Sequence, residues 1–491
     1  MTFQNPILPG FYPDPSICRV EDDFYLVTST FEYFPAVPIF HSKNLVNWTQ
    51  IGFCVTEESY LSLENAPNSG GIYAPTLRYH EGVFYMTTTD ISGIRNFIVT
   101  ARDPKGPWSK PILVDFPGID PSLFFDEDGK IYYMSTSKMV KGKQTTLVAE
   151  IDIETGESLS EKKELWQGTG GRFPEAPHIY KKDGWYYVIL AEGGTSMGHM
   201  VTMARSKNIY GPYESAPRNP IFTHRELIAT KIHGTGHMDL VDDQQGNWWA
   251  VFLGFRMEEK YFHHLGRETF LAPVQWTEGE FPVINEGNPV ELLLDEGKLP
   301  LPPENQNFSF YDDFSKETLD LSYQFLRKPS LVPYRLEKGL FLTGNGTTLH
   351  QEGTPSFIGI RQKHFACDFS VDFILDKTPT SSVGITVFYN NHRHFDLYFK
   401  GNSVFLRKEF DDFNLIAGEV PYQSKTATLT ISARNTRYFF YLEEEGKKIE
   451  LGSGLARHLS TEVGIMSFTG VFLGVFSETQ EEIQIKALRY E

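Results

Sequence analysis

Asp14-Pro15-Ser16-Ile17, followed by the polar turn Glu21-Asp22-Asp23 and then by Phe24-Tyr25, is a phrase that this chain states five times before residue 300. The other copies run from Ala74-Pro75-Thr76-Leu77 to Phe84-Tyr85 and from Asp120-Pro121-Ser122-Leu123 to Tyr132-Tyr133. The last two run from Glu175-Ala176-Pro177-His178-Ile179 to Tyr186-Tyr187 and from His237-Met238-Asp239-Leu240 to Trp248-Trp249. Each copy reads as two strands joined by a turn. Aromatic and branched residues suit a pleated, half-buried surface, while Gly, Asp and Asn suit tight reversals. Repeats of this length built from strands arrange radially, so the first part of the chain is expected to form a five-bladed β-propeller. Equivalent positions of successive blades then surround one axis, which brings Asp14, Asp120, Glu175 and His237 to a single concave mouth.

Outward from the repeats, the texture changes near residue 300. Leu299-Pro300-Leu301-Pro302-Pro303 is a proline-rich connector, and all seven tryptophans lie before it. Beyond it come alternating segments such as Phe369-Ser370-Val371-Asp372-Phe373, with no long amphipathic helix, which reads as a jelly-roll-like β-sandwich. A chain of 491 residues exceeds one ordinary core. The expected division is a catalytic propeller over 1–303 and an accessory sandwich over 304–491, all-β throughout. Without tryptophan the sandwich suits a buried docking face or an oligomer interface better than an open sugar platform.

Hydrophobic residues make up 40% of the chain and charged residues 22%, as in ordinary soluble domains. A formal net charge of −18 argues against nucleic acid and anionic membrane as partners. No apolar run approaches the length that spans a bilayer. Three cysteines make no disulfide framework and show no metal-ligand spacing. Met1 leads into Thr2-Phe3-Gln4-Asn5-Pro6 without a basic or apolar leader, so a cytoplasmic location is expected.

Three carboxylates and a histidine around one mouth point to chemistry. Cleavage of a glycosidic bond needs one protonated carboxyl to serve the leaving oxygen and one ionised carboxylate to activate water or attack carbon. A third can hold the acid's pKa high by repulsion. Asp14, Asp120 and Glu175 have the right number and type, and the longer Glu suits the donor. Alone, each Asp-Pro pair is more often a structural turn and Glu175 more often a solvated surface group. Their placement in the repeat is what favours function. His237 sits in Gly234-Thr235-Gly236-His237, where glycines admit close backbone approach. One histidine cannot hold zinc, but a largely hydrated Ca2+ at the axis is left open, reached from His237 through water. Phe31 and Tyr73 flank head positions and can stack on sugar faces. Arg267 can bind hydroxyls or lower the pKa of a base.

These segments resemble the β-xylosidase and α-L-arabinofuranosidase branch of glycoside hydrolase family 43. Asn5-Pro6-Ile7-Leu8-Pro9-Gly10-Phe11-Tyr12-Pro13-Asp14-Pro15-Ser16-Ile17 is similar to that family's general-base motif, and Gly118-Ile119-Asp120-Pro121-Ser122 to the motif of its pKa-modulating aspartate. Phe173-Pro174-Glu175-Ala176-Pro177 resembles its general-acid motif, and Leu265-Gly266-Arg267-Glu268-Thr269-Phe270 its substrate-binding arginine segment. Asp312-Asp313-Phe314 through Phe325-Leu326-Arg327 resembles the start of the branch's concanavalin-like sandwich. The resemblance implies single-step inversion of the anomeric centre. It implies a sugar pocket lined by Phe31, Ala74 and Thr195, and a sandwich that lends an aromatic residue to the pocket rim. It places His237 near an axial water or cation. Tyr73 departs from the family, standing where related xylosidases have tryptophan, which leaves the sugar preference open. The expectation is an exo-acting β-1,4-xylosidase on xylo-oligosaccharides that requires no cofactor. An α-L-arabinofuranosidase or dual enzyme on arabino-oligosaccharides is the alternative, and a non-catalytic sugar-binding propeller the rival from another class.

Overall fold

Each of the five head phrases leads the first strand of an antiparallel sheet. The computed structural model describes residues 2–140, 143–259, 261–295 and 297–491, and the fold is all-β. The first sheet orders Ser16–Val20, Asp23–Val27, Ala36–Ser42 and Thr49–Val55. The second comprises Thr76–His80, Val83–Asp90, Arg95–Ala101 and Ile112–Leu113, and the third Ile119–Phe125, Ile131–Val140, Lys143–Glu150 and Lys163–Glu164. Glu175–Lys182, Trp185–Glu192, Met200–Ser206 and Glu214–Ser215 make the fourth, with Phe222–Thr223 also paired to its third strand. Ile232–Asp242, Trp248–Arg256, Glu268–Gln275 and Val283–Ile284 make the fifth.

The sheets lean on one another in chain order and close on themselves. The ring of Tyr25 lies 5.0 Å from Phe84, Tyr85 5.1 Å from Phe125, Phe124 6.1 Å from Tyr186, and Tyr180 6.1 Å from Trp276. The circle is completed where Ile17, Phe24 and Leu26 of the first sheet share a core with Val241, Trp249 and Leu271 of the fifth. Burying these aromatic faces draws the neighbouring sheets together.

A second, polar seam runs nearer the axis, and it uses one position of the repeated phrase. Ser16, Thr76, Ser122, His178 and Asp239 are each two residues after the equivalent head position and pair across their hairpins with Val27, Thr87, Met134, Ile189 and Val251. Ser16 Oγ donates to Asp239 Oδ2 at 2.6 Å and accepts from the Leu77 amide at 3.0 Å. Thr76 Oγ1 donates to the Pro121 carbonyl at 2.8 Å, and Ser122 Oγ donates to the Pro177 carbonyl. Tyr180 Oη donates to Asp239 Oδ1 at 2.6 Å. Every junction between adjacent sheets therefore carries a hydrogen bond. Arg78 spans three of them, with Nη1 2.8 Å from Asp239 Oδ2 and Nη2 3.0 Å from His178 Nδ1.

The remainder of the chain forms two facing sheets over one apolar core. One carries Ala366–Ile374, Thr426–Arg434, Arg437–Glu444, Lys447–Leu455 and Ile483–Tyr490 among its strands. The other runs through Ser356–Arg361, Phe472–Ser477, Val383–Asn390, Arg393–Lys400, Ser403–Phe410 and Phe413–Pro421. This part is docked on the ring. Phe325–Leu326 pairs with Tyr33–Phe34, the rings of Tyr33 and Phe472 stack at 4.0 Å, and Arg361 Nε donates to the Phe11 carbonyl at 2.6 Å. The backbones come close at Gly470, where a Cβ would stand 2.2 Å from the Leu265 carbonyl oxygen. Only glycine lets these two backbones meet there.

The polar seam predicts a large single-site effect. Arg78→Leu leaves the fully buried Asp239 carboxylate without its cation. Denaturant unfolding should then show a loss of about 3–5 kcal/mol. A loss below about 1 kcal/mol would mean the aromatic contacts alone hold the ring.

Candidate active site

The head residues are held in an uncommon backbone conformation. Asp14, Asp120, Ala176 and His237 have φ of 55°, 50°, 51° and 48°, the left-handed region that L residues other than Asn and Asp seldom enter. Strand pairing breaks register at the same places, between Ile119 and Ser122, Glu175 and His178, and Gly236 and Asp239. Such bulges turn a side chain out of the sheet's alternation. Pro121 and Pro177 sit inside them and Pro15 just before the paired strand, where a missing N–H costs no ladder bond. The cost of the strained φ is accepted at the positions that face the axis, as it commonly is at functional sites.

This geometry corrects one point of the sequence reading. Glu175 is not at the position equivalent to Asp14 and Asp120; Ala176 is. Glu175 stands one residue earlier, and its longer side chain is what lets it share the mouth.

A cavity of about 100 Å³ at the axis is lined by Asp14, Asp120, Glu175, His237, Arg267, Phe31, Tyr73, Ala74 and Thr195, so the structure gathers all the expected site residues. Phe468, from the docked sheets, also lines it, as the resemblance implied for an aromatic residue of the second part. The Arg267 guanidinium lies between two rings, 5.5 Å from Phe31 and 5.6 Å from Phe468. Tyr73 packs 5.2 Å from Phe31 and 6.2 Å from Phe468, completing an aromatic wall.

The carboxyls are set to opposite protonation states. Asp14 is buried, which raises its pKa, but Arg267, His237 and Ser29 outweigh the burial and hold it below the ordinary aspartate value. Arg267 Nη1 is 2.7 Å from Asp14 Oδ1, Ser29 Oγ donates to Oδ2 at 2.5 Å, and His237 Nδ1 lies 3.7 Å from Oδ1. Arg267 Nη1 also donates to Thr195 Oγ1 at 3.2 Å. Asp120 is pushed well above the usual carboxylate range by burial, then by the Glu175 and Asp14 charges, against a lowering bond from the Ala176 amide. Glu175 is raised to about 7, chiefly by burial and also by Asp14, while Gln144 Nε2 donates to its Oε1 at 3.3 Å and works the other way. Asp120 and Glu175 titrate as a pair, so near neutral pH the pair retains a proton while Asp14 has none. The Tyr73 hydroxyl is raised to about 12 by burial and by Asp120, and stays protonated.

Among the described residues no group of three or more His, Cys, Asp or Glu is arranged to hold a metal ion. His237 faces Asp14, and burial, together with the Arg267 charge, lowers its affinity for a proton against the pull of Asp14.

Sequence reasoning missed several contributors. Gln144, Ser29 and Phe468 carry no signal in the repeat. His199 does have one: its ring lies 2.4 Å from where a Cβ of Gly236 would stand, and its Nδ1 pairs with the Gly234 carbonyl at 3.1 Å, so the Gly-Thr-Gly before His237 was a sign of a ring packed there.

Known proteins resemble the chain in both of its parts. The family model described as glycosyl hydrolases family 43 matches residues 3–282, and that described as a beta xylosidase C-terminal concanavalin A-like domain matches residues 311–487. A xylosidase/arabinosidase of Butyrivibrio fibrisolvens is 40% identical over 97% of this chain and 95% of its own length. A non-reducing end alpha-L-arabinofuranosidase of Bacteroides ovatus is 39% identical over 97% of this chain and 91% of its own. Among solved structures, a Bacteroides ovatus protein described as xyloglucan PUL GH43B superposes with a TM-score of 0.94 at 36% identity, covering 100% of both chains.

The Asp14–Arg267 contact can be checked without any substrate. In Arg267→Met, burial acts on Asp14 with its main counterweight gone, so the Asp14 titration should move to higher pH. Carboxyl-labelled 13C NMR, with the signal identified by its absence in Asp14→Asn, measures this; an unmoved midpoint would contradict the assigned electrostatics.

Proposed function

The chain belongs to glycosyl hydrolase family 43, and on that premise we propose an exo-acting, inverting enzyme that releases a terminal pentose from xylo-oligosaccharides. It is a glycoside hydrolase with xylosidase and arabinofuranosidase relatives. The ring of five sheets is read as a five-bladed propeller over 1–303, and the two facing sheets as a sandwich over 304–491. The observation that carries the reading is the pocket itself: one carboxylate kept ionised and a carboxyl pair that keeps a proton, in a cavity with room for a single sugar ring.

In this mechanism Asp14 takes a proton from the water that attacks the anomeric carbon. Glu175 gives its proton to the leaving oxygen. Asp120 keeps that proton on Glu175 by repulsion until the transition state draws it away. The Ser29 and Arg267 contacts fix the orientation of Asp14, so its free lone pairs face the cavity. Arg267 and Thr195 present donors to sugar hydroxyls, and Phe31, Tyr73 and Phe468 cover the ring's apolar faces. A pocket of this small size favours a chain end over an internal unit.

β-1,4-Xylosidase activity is the first choice. Activity on α-L-arabinofuranosides is the second reading, favoured by the name of the Bacteroides ovatus relative and by Tyr73, whose smaller ring and hydroxyl change the pocket wall.

A leaving-group comparison tests the proposal. Wild-type enzyme should hydrolyse xylobiose and aryl pentosides. Glu175→Gln should lose about 10²–10⁴-fold on xylobiose, yet little on aryl glycosides whose phenols leave without protonation. Equal losses across the series would remove Glu175 as the donor, and wild-type inertness toward both aryl β-xylosides and aryl α-arabinofuranosides would overturn the reading.

A further inference from the structure

Glu32 is a fully buried carboxyl that takes no part in the chemistry described above. Its Oε1 makes no hydrogen bond, and Oε2 accepts one from the Ser69 amide at 3.0 Å. Burial raises its pKa to about 7, against the attraction of Arg327 and the backbone N–H groups. Arg327 is not its partner in an ion pair: Nε donates to the Ala66 carbonyl at 2.6 Å, Nη1 to the Gly353 carbonyl at 2.6 Å and Nη2 to Asn391 Oδ1 at 3.2 Å. A carboxyl in this position costs stability that an apolar side chain of similar volume would not.

What the carboxyl does there is hold Ser69, itself left-handed at φ 62°. Ser69 Oγ accepts from the Phe468 amide at 2.8 Å and lies 2.9 Å from Ser467 Oγ. The Phe468 carbonyl in turn accepts from Arg267 Nη2 at 3.3 Å, and Arg267 Nη1 reaches Asp14 at 2.7 Å. One unbroken chain of contacts thus leads from Glu32 on the ring to Phe468 on the docked sheets and back to Asp14 on the ring.

We infer that Glu32 is a positioning residue: through Ser69 it fixes the Phe468 segment, and with it the Arg267 guanidinium, in the arrangement that serves Asp14. The inference rests on the reading of the axial cavity as the sugar site. Positional errors near 1 Å can cost about 100-fold in rate, so a loosened Phe468 segment is a sufficient cause for a kinetic defect without loss of fold.

The test is a double-mutant cycle in the full-length chain, read as kcat and KM on an aryl pentoside and as the pH profile of kcat/KM. Glu32→Ala should lower kcat/KM by about 10–100-fold and move the acidic limb to higher pH, because Arg267 no longer sits squarely on Asp14. In a Ser69→Ala background, where the Ser69 Oγ acceptor of the Phe468 amide is already gone, the same change should cost less than about 3-fold, since contacts in one chain are not additive. Glu32→Gln, which keeps an acceptor for Ser69, should stay near wild type. Should Glu32→Ala fail to fold, Ser69→Ala keeps the amide bond to Glu32 but removes the next link, the Oγ that accepts from the Phe468 amide, and should reproduce the kinetic loss and the moved limb. Additive losses, or a lowered melting temperature with unchanged kinetics and an unmoved limb, would overturn the inference. If Asp14→Asn is itself silent while the wild type is active, the reading of the pocket fails rather than the role of Glu32.

Discussion

The Asp239 carboxylate is the constraint on which the site depends. It is fully buried and collects donors from Ser16 Oγ and the Ile17 amide of the first sheet, Arg78 of the second and Tyr180 Oη of the fourth, while belonging to the fifth. A charge taken out of water is tolerated when hydrogen bonds satisfy it, and here they come from three sheets other than its own. That makes the bond geometric as much as energetic. Two residues before Asp239 is His237, and two before Ser16 is Asp14. Fixing the clasp fixes the spacing of the groups above it, on strands separated by more than 200 residues of chain.

The same arrangement explains why the heads are strained. In a regular strand the residue two before the clasp shares its face and points along the sheet. The left-handed φ at Asp14, Asp120, Ala176 and His237, with the broken pairing beside the last three, redirects it. The polar seam and aromatic cores over-determine the strands, so the strain persists. The reactive groups are thereby concentrated on the least regular residues of otherwise regular sheets.

Much of this was legible in the sequence because repetition exposes it. Five aromatic strand pairs behind five turns indicated the sheets, and the polar or charged residues ahead of them indicated what faces the axis. The shift of Glu175 by one residue was visible in Glu175-Ala176-Pro177 against Asp14-Pro15, but only the proline, as the marker of the bulge, sets the frame. Ser29 and Gln144 were illegible, because a hydroxyl or amide in a strand looks the same whether or not it meets a carboxylate. Phe468 was illegible as a residue for a different reason. Nothing repeats around it, and it sits two residues before Gly470, which lies so near Leu265 that a Cβ there would stand 2.2 Å from its carbonyl oxygen. Long-range closeness of that kind leaves only a glycine as its trace.

The central claim is that Asp14 acts on water rather than on carbon, while Glu175 supplies the proton, so that the bond is broken in a single displacement. The most direct measurement is 1H NMR of the first-formed sugar during rapid hydrolysis of a β-xyloside, before mutarotation mixes the anomers. The account predicts that α-xylose appears first. Initial accumulation of β-xylose would contradict it, and would make Asp14 a nucleophile in a two-step reaction.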